Sequence, residues 1–421
     1  MALLPSRSSL RVAVVGDGPA GTAVATHLAR AGARVVLFAR GRPAGLVVGE
    51  SLVPGVVPRL RELGIEDEVR GYATRKPGAT FVVADGSRVA IDFASSCTSA
   101  PPYAYNVPRD RLDASLLAAC EKSGAQIVRE PAHLERAPRG GDGVALAGAS
   151  RAAAASALGA PPDFVIDATG RARAVARLLG LPTEAGPRRD AALFAHCEGV
   201  AIDAPGHVHT DQLARGWCWR IPLPGRVSLG VVAPPDALAA YGPTAERQYD
   251  ALLATEPRLR EVAAGARRIT PVLRYSNYQL ATRRGAGANW ALAGDAFGFV
   301  DPVFSSGLHL ALSSARALAD ALLRGSTRAL RGYERRHLRH LRAWQRAVDL
   351  YYDGRFVALL AMRDRAPQSL LGRAFAGHLD RHLPRVFTGE GSAGLYDPWL
   401  LGVVARAAAR EPVAAVARVS D

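Results

Sequence analysis

The hydrophobic pattern is clearest at the start of the chain. Arg11 to Val15 is a short β-branched run, Gly16-Asp17-Gly18-Pro19-Ala20-Gly21 interrupts it, and an alanine-rich segment continues to about Ala31 before a second apolar run from Ala33 to Ala39. That order predicts strand, turn, helix and strand, a β-α-β unit. Pro108 to Ala119 carries a helical pattern with Arg109 near its start, and Lys122 and Gly124 follow where a helix would end. Asp163 to Gly170 reads as an apolar strand ending in Asp167-Ala168-Thr169-Gly170, and Trp290 to Gly294 as another that runs into Asp295. Between them, residues 190–284 alternate short β-like segments with turns, the pattern of a separate sheet. Gly307 to Leu323 predicts a strong helix, and from about Arg331 the pattern is helical to the end. Arg331 to Arg346 is arginine-rich, which fits a solvated helix face or, alternatively, a docking surface. No internal repeat is present, and the one linker-like segment is the alanine-rich turn from Arg151 to Ala160.

The glycines of the first turn fall where a dinucleotide site needs them. Gly16 makes the tight turn, Gly18 lets the backbone approach a pyrophosphate, and Gly21 permits close helix-sheet packing. The phosphate charge then meets the helix N-terminus. Because strand and helix frame it, this G-x-G-x-x-G predicts nucleotide binding rather than a ligand-free turn. The residue ending the second strand of such units is usually acidic and binds a ribose hydroxyl. Here it is Ala39, followed by Arg40, so the ribose must be held from elsewhere or more weakly.

Composition narrows the classes. The 421 residues are enough for one large domain or two that share a core. With 53 basic and 38 acidic residues the formal charge is +15, a surface able to attract nucleic acid, an anionic membrane or an acidic protein. No nucleic-acid motif accompanies it, so nucleic acid is not an expected partner. No apolar run reaches membrane-span length and no signal-peptide pattern is visible, which predicts a soluble, cytoplasmic protein. Cys97, Cys120, Cys197 and Cys218 lack ligand-like spacing, so neither disulfides nor a metal site are expected. Only two of the 53 cations are lysines, Lys76 and Lys122. Lys122 sits at a helix end, an ordinary place for a cation, whereas Lys76 falls on what reads as a loop. Arginine stays protonated; a desolvated lysine can serve as a neutral amine or as a donor.

Four separated pieces, Gly16-x-Gly18-x-x-Gly21, Gly49-Glu50-Ser51, Asp167-Ala168-Thr169-Gly170 and Gly294-Asp295, occur in an order that resembles the flavoprotein monooxygenase superfamily. Three more narrow the resemblance to its flavin-dependent halogenase branch. Gly216-Trp217-Cys218-Trp219-Arg220-Ile221-Pro222 is similar to the W-x-W-x-I-P signature, Phe299 to Gly307 fits F-x-x-P-x-x-S-x-G, and Lys76-Pro77-Gly78-Ala79-Thr80-Phe81 matches the K-x-G-x-x-F around the branch's catalytic lysine. The resemblance spans roughly residues 10–325.

What the resemblance implies is specific. The fold would be α/β, a Rossmann-type FAD domain (8–75, 103–185 and 285–330) with an inserted β-sheet substrate domain (76–102 and 186–284) and a C-terminal helical region (331–421). FAD would be held by Gly16, Gly18, Gly21, Glu50, Ser51, Arg109, Asp295 and Gly307. Trp217, Trp219 and Ile221 share one face of a strand and would form a wall that keeps organic substrate from the flavin, although a simple core stripe gives the same pattern. Backbone N–H groups at Ser306 and Gly307 would bind chloride or bromide at a helix N-terminus; simple N-capping by the serine is the bland reading, and the two are compatible. Reduced FAD, O2 and halide would yield hypohalous acid, which Lys76 delivers to the arene as a chloramine or by hydrogen bonding. A separate reductase would supply the reduced FAD. Relatives that act on free tryptophan carry a glutamate where this chain has Phe304, so the resemblance implies a phenol or pyrrole, free or tethered to an acidic carrier protein or a peptide. A halogenase-like monooxygenase that hydroxylates an aromatic ring, possible also on a peptide or protein, shares the FAD pieces and is the main alternative. A reductase of the isoprenoid-saturating type shares Gly49-Glu50-Ser51 but would not need Lys76 or the paired tryptophans.

Overall fold

Five parallel strands form the sheet that the first β-α-β unit begins. Their order is Trp290–Leu292, Phe164–Asp167, Arg11–Val15, Arg34–Phe38 and Gln126–Val128. The computed structural model describes residues 10–41, 47–83, 86–138, 141–276, 279–356 and 370–408. Parallel strands are covered on both faces, which is why these read as unbroken apolar runs. Helices Pro19–Arg30 and Gly307–Leu323 pack against each other on one side. On the other, Ala13, Val36 and Phe38 meet Leu146, Ala154 and Leu158. The last two belong to helix Gly148–Leu158, which corrects the linker-like turn expected from Arg151 to Ala160. Alanine is the strongest helix former, so an alanine-rich stretch ending at Gly159 (φ +74°) closes as a helix.

The second sheet is built from two distant parts of the chain. Its strands run Arg267–Arg268, Ala191–Glu198, Arg226–Ala233, Gly216–Leu223, Val208–Leu213, Gly78–Val82 and Arg88–Asp92, with Leu273–Ser276 also paired to Ala191–Glu198. Gly78–Val82 joins Val208–Leu213 in parallel; the neighbouring pairings are antiparallel. Side chains alternate between the faces. Ala192, Phe194, Trp217, Trp219 and Val232 join the main core, whereas Leu193, Cys218, Leu229 and Val231 pack with Leu238, Tyr249, Leu252 and Leu259. Those last four lie on helices Pro235–Ala239, Ala245–Thr255 and Pro257–Val262, which the reading of 190–284 as strands and turns did not include. Their signals are local: Pro235 and Pro257 open first turns, and the Thr244 and Glu256 side chains accept from the Arg247 and Leu259 N–H groups.

The C-terminal helix starts at Thr327, ahead of the expected Arg331, because the Ser326 hydroxyl accepts from the Ala329 N–H. It runs to Tyr352 with its arginines outward and Tyr333, His337, Leu341, Trp344, Val348 and Tyr351 inward. Helices Leu370–Phe387 and Tyr396–Ala408 follow. Among the described residues no helix is long and apolar enough to cross a membrane.

Candidate active site

The first turn forms a cradle. Gly16 has φ +110°, and a Cβ there would lie 2.4 Å from the Ala168 carbonyl oxygen. Only glycine accepts both constraints. A Cβ on Gly21 would sit 1.8 Å from the Gly16 oxygen, so the helix packs directly onto the loop. Gly18 caps helix Pro19–Arg30 in extended conformation with no side chain bonded to the free N–H groups. Gly294-Asp295 lies in the short turn Gly294–Ala296, where a Cβ on Gly294 would press on Ala20, so Asp295 comes alongside that helix start. Arg109 begins helix Arg109–Lys122, donates to the Val48 carbonyl at 2.5 Å and to Asp113, and keeps a buried Nε without a partner among the described residues. An uncapped helix N-terminus and, on a second helix, a buried and partially unsatisfied guanidinium each fit an anionic dinucleotide.

Lys76 is not on a loop. It ends strand Thr74–Lys76, which pairs with Ala104–Asn106, and only 1% of it is exposed. Its ammonium donates to the Ser51 Oγ and the Leu52 carbonyl, both at 2.8 Å, and lies 5.5 Å from the centre of the Phe93 ring. Burial alone pushes the amine down to about 7, because no carboxylate compensates for lost water. The flanking residues of the 48–52 segment are tied as well. Glu50 Oε1 lies 2.8 Å from His196 Nε2, and Arg226 Nε lies 3.0 Å from His196 Nδ1. A guanidinium only donates, so Nδ1 accepts and the ring proton sits on Nε2, directed at Glu50. The structure therefore places Glu50 on the substrate sheet's histidine and Ser51 on the lysine, rather than leaving their side chains to a cofactor alone.

Strand Gly216–Leu223 carries Trp217, Trp219 and Ile221 on the face turned to the main core, all buried. The two indoles are 5.9 Å apart between ring centres. Trp219 donates to the Ser228 hydroxyl at 3.2 Å and lies across Gly230, where a Cβ would come within 2.2 Å of the ring. Trp217 donates to the Tyr352 hydroxyl at 2.8 Å, and Tyr352 in turn donates to Asp301 of the Phe299-to-Gly307 motif. That motif bends sharply before helix Gly307–Leu323. Ser305 is in the left-handed region at φ +57°, a rare conformation for a side-chain-bearing residue. Ser306 is buried and stands at the N-cap position, and its side chain makes no capping bond to the helix. The free N–H groups of the first turn, with the positive end of the helix dipole, suit a small anion. Phe304, beside them, stands 5.9 Å from Phe81, 5.2 Å from Phe356 and 4.9 Å from Phe387.

The sequence profile of the tryptophan halogenase family matches residues 11–95 and 84–355. The chain belongs to that family. It is 27% identical over 360 residues to a tryptophan 2-halogenase of Chondromyces crocatus, covering 82% of this chain and 68% of that one. It is 26% identical over 377 residues to the 1H-pyrrole-2-carbonyl-[peptidyl-carrier protein] chlorinase of Pseudomonas fluorescens, covering 81% and 83%. Coverage of another relative, the sulochrin halogenase of Aspergillus terreus, is 64% of its length, so the chain spans about two thirds of some of these proteins. Among solved structures, the myxobacterial chondrochloren halogenase CndH, an FAD-dependent halogenase, superposes with a TM-score of 0.72 at 25% identity over 95% of this chain and 97% of that one. The architecture is thus the α/β fold expected, a Rossmann-type FAD domain with a β-sheet substrate domain and C-terminal helices, and the cofactor is FAD.

Several side chains around the candidate site were not visible in the sequence. Tyr351 and Tyr352 come from the end of the C-terminal helix and pack against Trp217, Tyr351 by its ring and Tyr352 through its hydroxyl. Phe93 faces Lys76, His196 holds Glu50 and is itself held by Arg226, and Asp301 accepts from Tyr352. Of these only Asp301 lies inside a motif. The others carry no local signal because their roles depend on packing between distant segments.

Proposed function

We propose that this enzyme halogenates an electron-rich aromatic ring, a phenol or pyrrole, presented free or on a carrier protein or peptide, with chloride or bromide. The observation that carries the reading is Lys76: an ammonium sealed from water without a counter-charge, tied only to a hydroxyl and a carbonyl. Such a site is costly to fold and serves no packing need that a methionine would not meet. When bound, reduced FAD supplies with O2 the two-electron oxidation that turns halide into hypohalous acid. Gly16, Gly18, Gly21, Arg109 and Asp295 would hold the cofactor, and a separate reductase would provide it reduced. The N–H groups of Ser306 and Gly307 hold the halide. Trp217, Trp219 and Ile221, braced by Tyr352 and Ser228, keep arene out of the oxidising compartment. Lys76 receives the halogen equivalent and positions it beside the ring, whose carbon–hydrogen bond is exchanged for a carbon–halogen bond with loss of water.

Phe304 supports the substrate class. With an aromatic side chain in place of an acid, the site lacks a carboxylate to assist attack on a weakly activated ring, so the ring itself must be electron-rich. The pyrrole chlorinase among the relatives acts on a carrier-bound pyrrole. The test is product mass spectrometry with reduced FAD and a panel of phenols and pyrroles, with and without bromide, in wild type, Lys76→Ala and Lys76→Arg. Wild type should give mono- or dihalogenated product and both variants none, while reduced FAD is still reoxidised in all three. Hydroxylated product independent of halide would replace this reading with the hydroxylating one.

A further inference from the structure

Helix Thr327–Tyr352 exposes Arg328, Arg331, Arg335, Arg339, Arg342 and Arg346, spaced three or four residues apart. That spacing puts all six on one stripe about 27 Å long, at 1.5 Å per residue. Among the described residues none of the six has an ion-pair partner, although arginines elsewhere are widely paired, as Arg220 is with Asp203 and Asp211. The acids of this helix are Glu334, which is half-buried and accepts from the Gly285 and Ala286 N–H groups, and Asp349, beyond the last of the six arginines. A basic helix face alone is ordinarily just solvated, but this one has a second feature at its end. A Cβ on Gly402 would lie 4.0 Å from the Arg346 guanidinium, which brings helix Tyr396–Ala408 against the stripe. One turn earlier on that helix, Trp399 is 56% exposed, with Tyr396 at 45% and Leu395 at 69% beside it. These three are the largest exposed apolar residues of the described chain apart from Ile269.

We propose that this stripe and the Leu395, Tyr396 and Trp399 patch form a docking surface for a small acidic carrier protein that presents the tethered aromatic substrate. The inference rests on the carrier-bound form of the function proposed above. Tryptophan, tyrosine and arginine are the residue types that carry most binding energy at protein interfaces, and an apolar anchor beside a charged row is the usual anatomy of one. Charge complementarity selects an acidic partner from a protein of +15. Position selects a substrate donor over a flavin donor. The inner face of the same helix ends in Tyr351 and Tyr352, whose rings and hydroxyl meet Trp217, Phe81 and Asp301 of the candidate site. The Arg346 end of the stripe lies about 8 Å along the helix axis from Tyr351, at 1.5 Å per residue, so a partner seated there is close to these residues. Reduced flavin needs no such seat, because it diffuses as a free molecule.

The probe is an acidic acyl carrier protein whose phosphopantetheine thiol is loaded with pyrrole-2-carbonyl and whose surface bears a fluorophore. Binding is read by anisotropy with the intact FAD-loaded enzyme, and halogenation of a free phenol is measured alongside. Wild type should bind the carrier, more weakly by about tenfold or more when salt is raised from about 20 to about 150 mM. The quadruple variant Arg331→Glu, Arg335→Glu, Arg339→Glu, Arg342→Glu should lose binding by about 100-fold or more, and Trp399→Ala by about tenfold. Both should halogenate free phenol at the wild-type rate, which shows that they are folded. Equal carrier binding by wild type and the quadruple variant overturns the proposal. So does wild-type binding to duplex DNA or phosphatidylglycerol vesicles through the same arginines without binding to the carrier. Should wild type bind the carrier through these residues yet halogenate neither free nor tethered arene, the docking surface stands and the chemical reading fails.

Discussion

Replacing Lys76 by methionine should make the protein more stable at neutral pH while abolishing halogenation. The amine is fully enclosed, and burial lowers it from 10.5 to about 7. At pH 7 the unfolded chain therefore holds this proton firmly while the folded protein has lost half of it. At about 1.36 kcal/mol per pKa unit the difference disfavours folding by roughly 4–5 kcal/mol. Methionine matches the length and volume of the lysine stem, so little cavity is made. The Ser51 hydroxyl can turn and still donate, whereas the Leu52 carbonyl loses its donor, which offsets about 1–3 kcal/mol. The net expectation is a gain of about 1–4 kcal/mol at pH 7 in urea unfolding followed by tryptophan fluorescence. The sign with pH follows from the depressed value: the lysine's penalty is absent above pH 10.5 and grows as pH falls toward 7. The advantage of Lys76→Met should shrink accordingly as unfolding is repeated at pH 8, 9 and 10. A variant less stable than wild type at pH 7, or a difference unchanged up to pH 10, would refute the claim that Lys76 is held in its site at a cost to folding.

Three other outcomes follow from the same contacts. Ser51→Ala removes one acceptor of a charged group, worth about 1.5–3 kcal/mol, so the midpoint of the pH–rate profile for halogenation should fall by about 1–2 units from near 7; an unmoved midpoint would show that this hydroxyl does not hold the amine. Gly18→Val should abolish FAD binding, measured by quenching of flavin fluorescence, because it places a branched side chain where the backbone must approach the pyrophosphate. The buried His309, His337 and His340 are all pushed down, chiefly by loss of water, His309 to about 4 and His337 to about 3. Unfolded histidine binds a proton that these cannot, so stability should fall as pH drops from about 6.5 toward 4, and His337→Phe should flatten that slope in a pH series of thermal melts.

The nucleotide cradle could be read from the chain because its constraints are local. Gly16, Gly18 and Gly21 are fixed by one turn, and the flanking strand and helix are visible in the hydrophobic period. Trp217, Trp219 and Ile221 were likewise fixed on one face by strand alternation. Lys76 was singled out by its rarity and its motif, but its strand and complete burial come from the pairing with Ala104–Asn106, which no local pattern announces. The hidden helices between Pro235 and Val262 show the converse failure. Their capping residues were present, but short helices between strands give too few turns for the apolar period to show. Tyr352 could not be read at all, because its role is created only when the C-terminal helix returns to the Trp217 strand.

The parallel pairing of Ala79 with Val208 has a consequence for how the enzyme is made. A ribosome adding about 5–20 residues per second needs on the order of ten seconds to pass from one partner to the other. Throughout that interval the strand that follows Lys76 lacks its parallel neighbour, and its apolar face has nothing to close on. The last strand of the FAD sheet, Trp290–Leu292, emerges later still. Neither sheet can be finished before most of the chain is out. N-terminal fragments that stop short of that strand should therefore depend on chaperones rather than accumulate as a folded flavin domain, and the enzyme should acquire FAD only near the end of its synthesis.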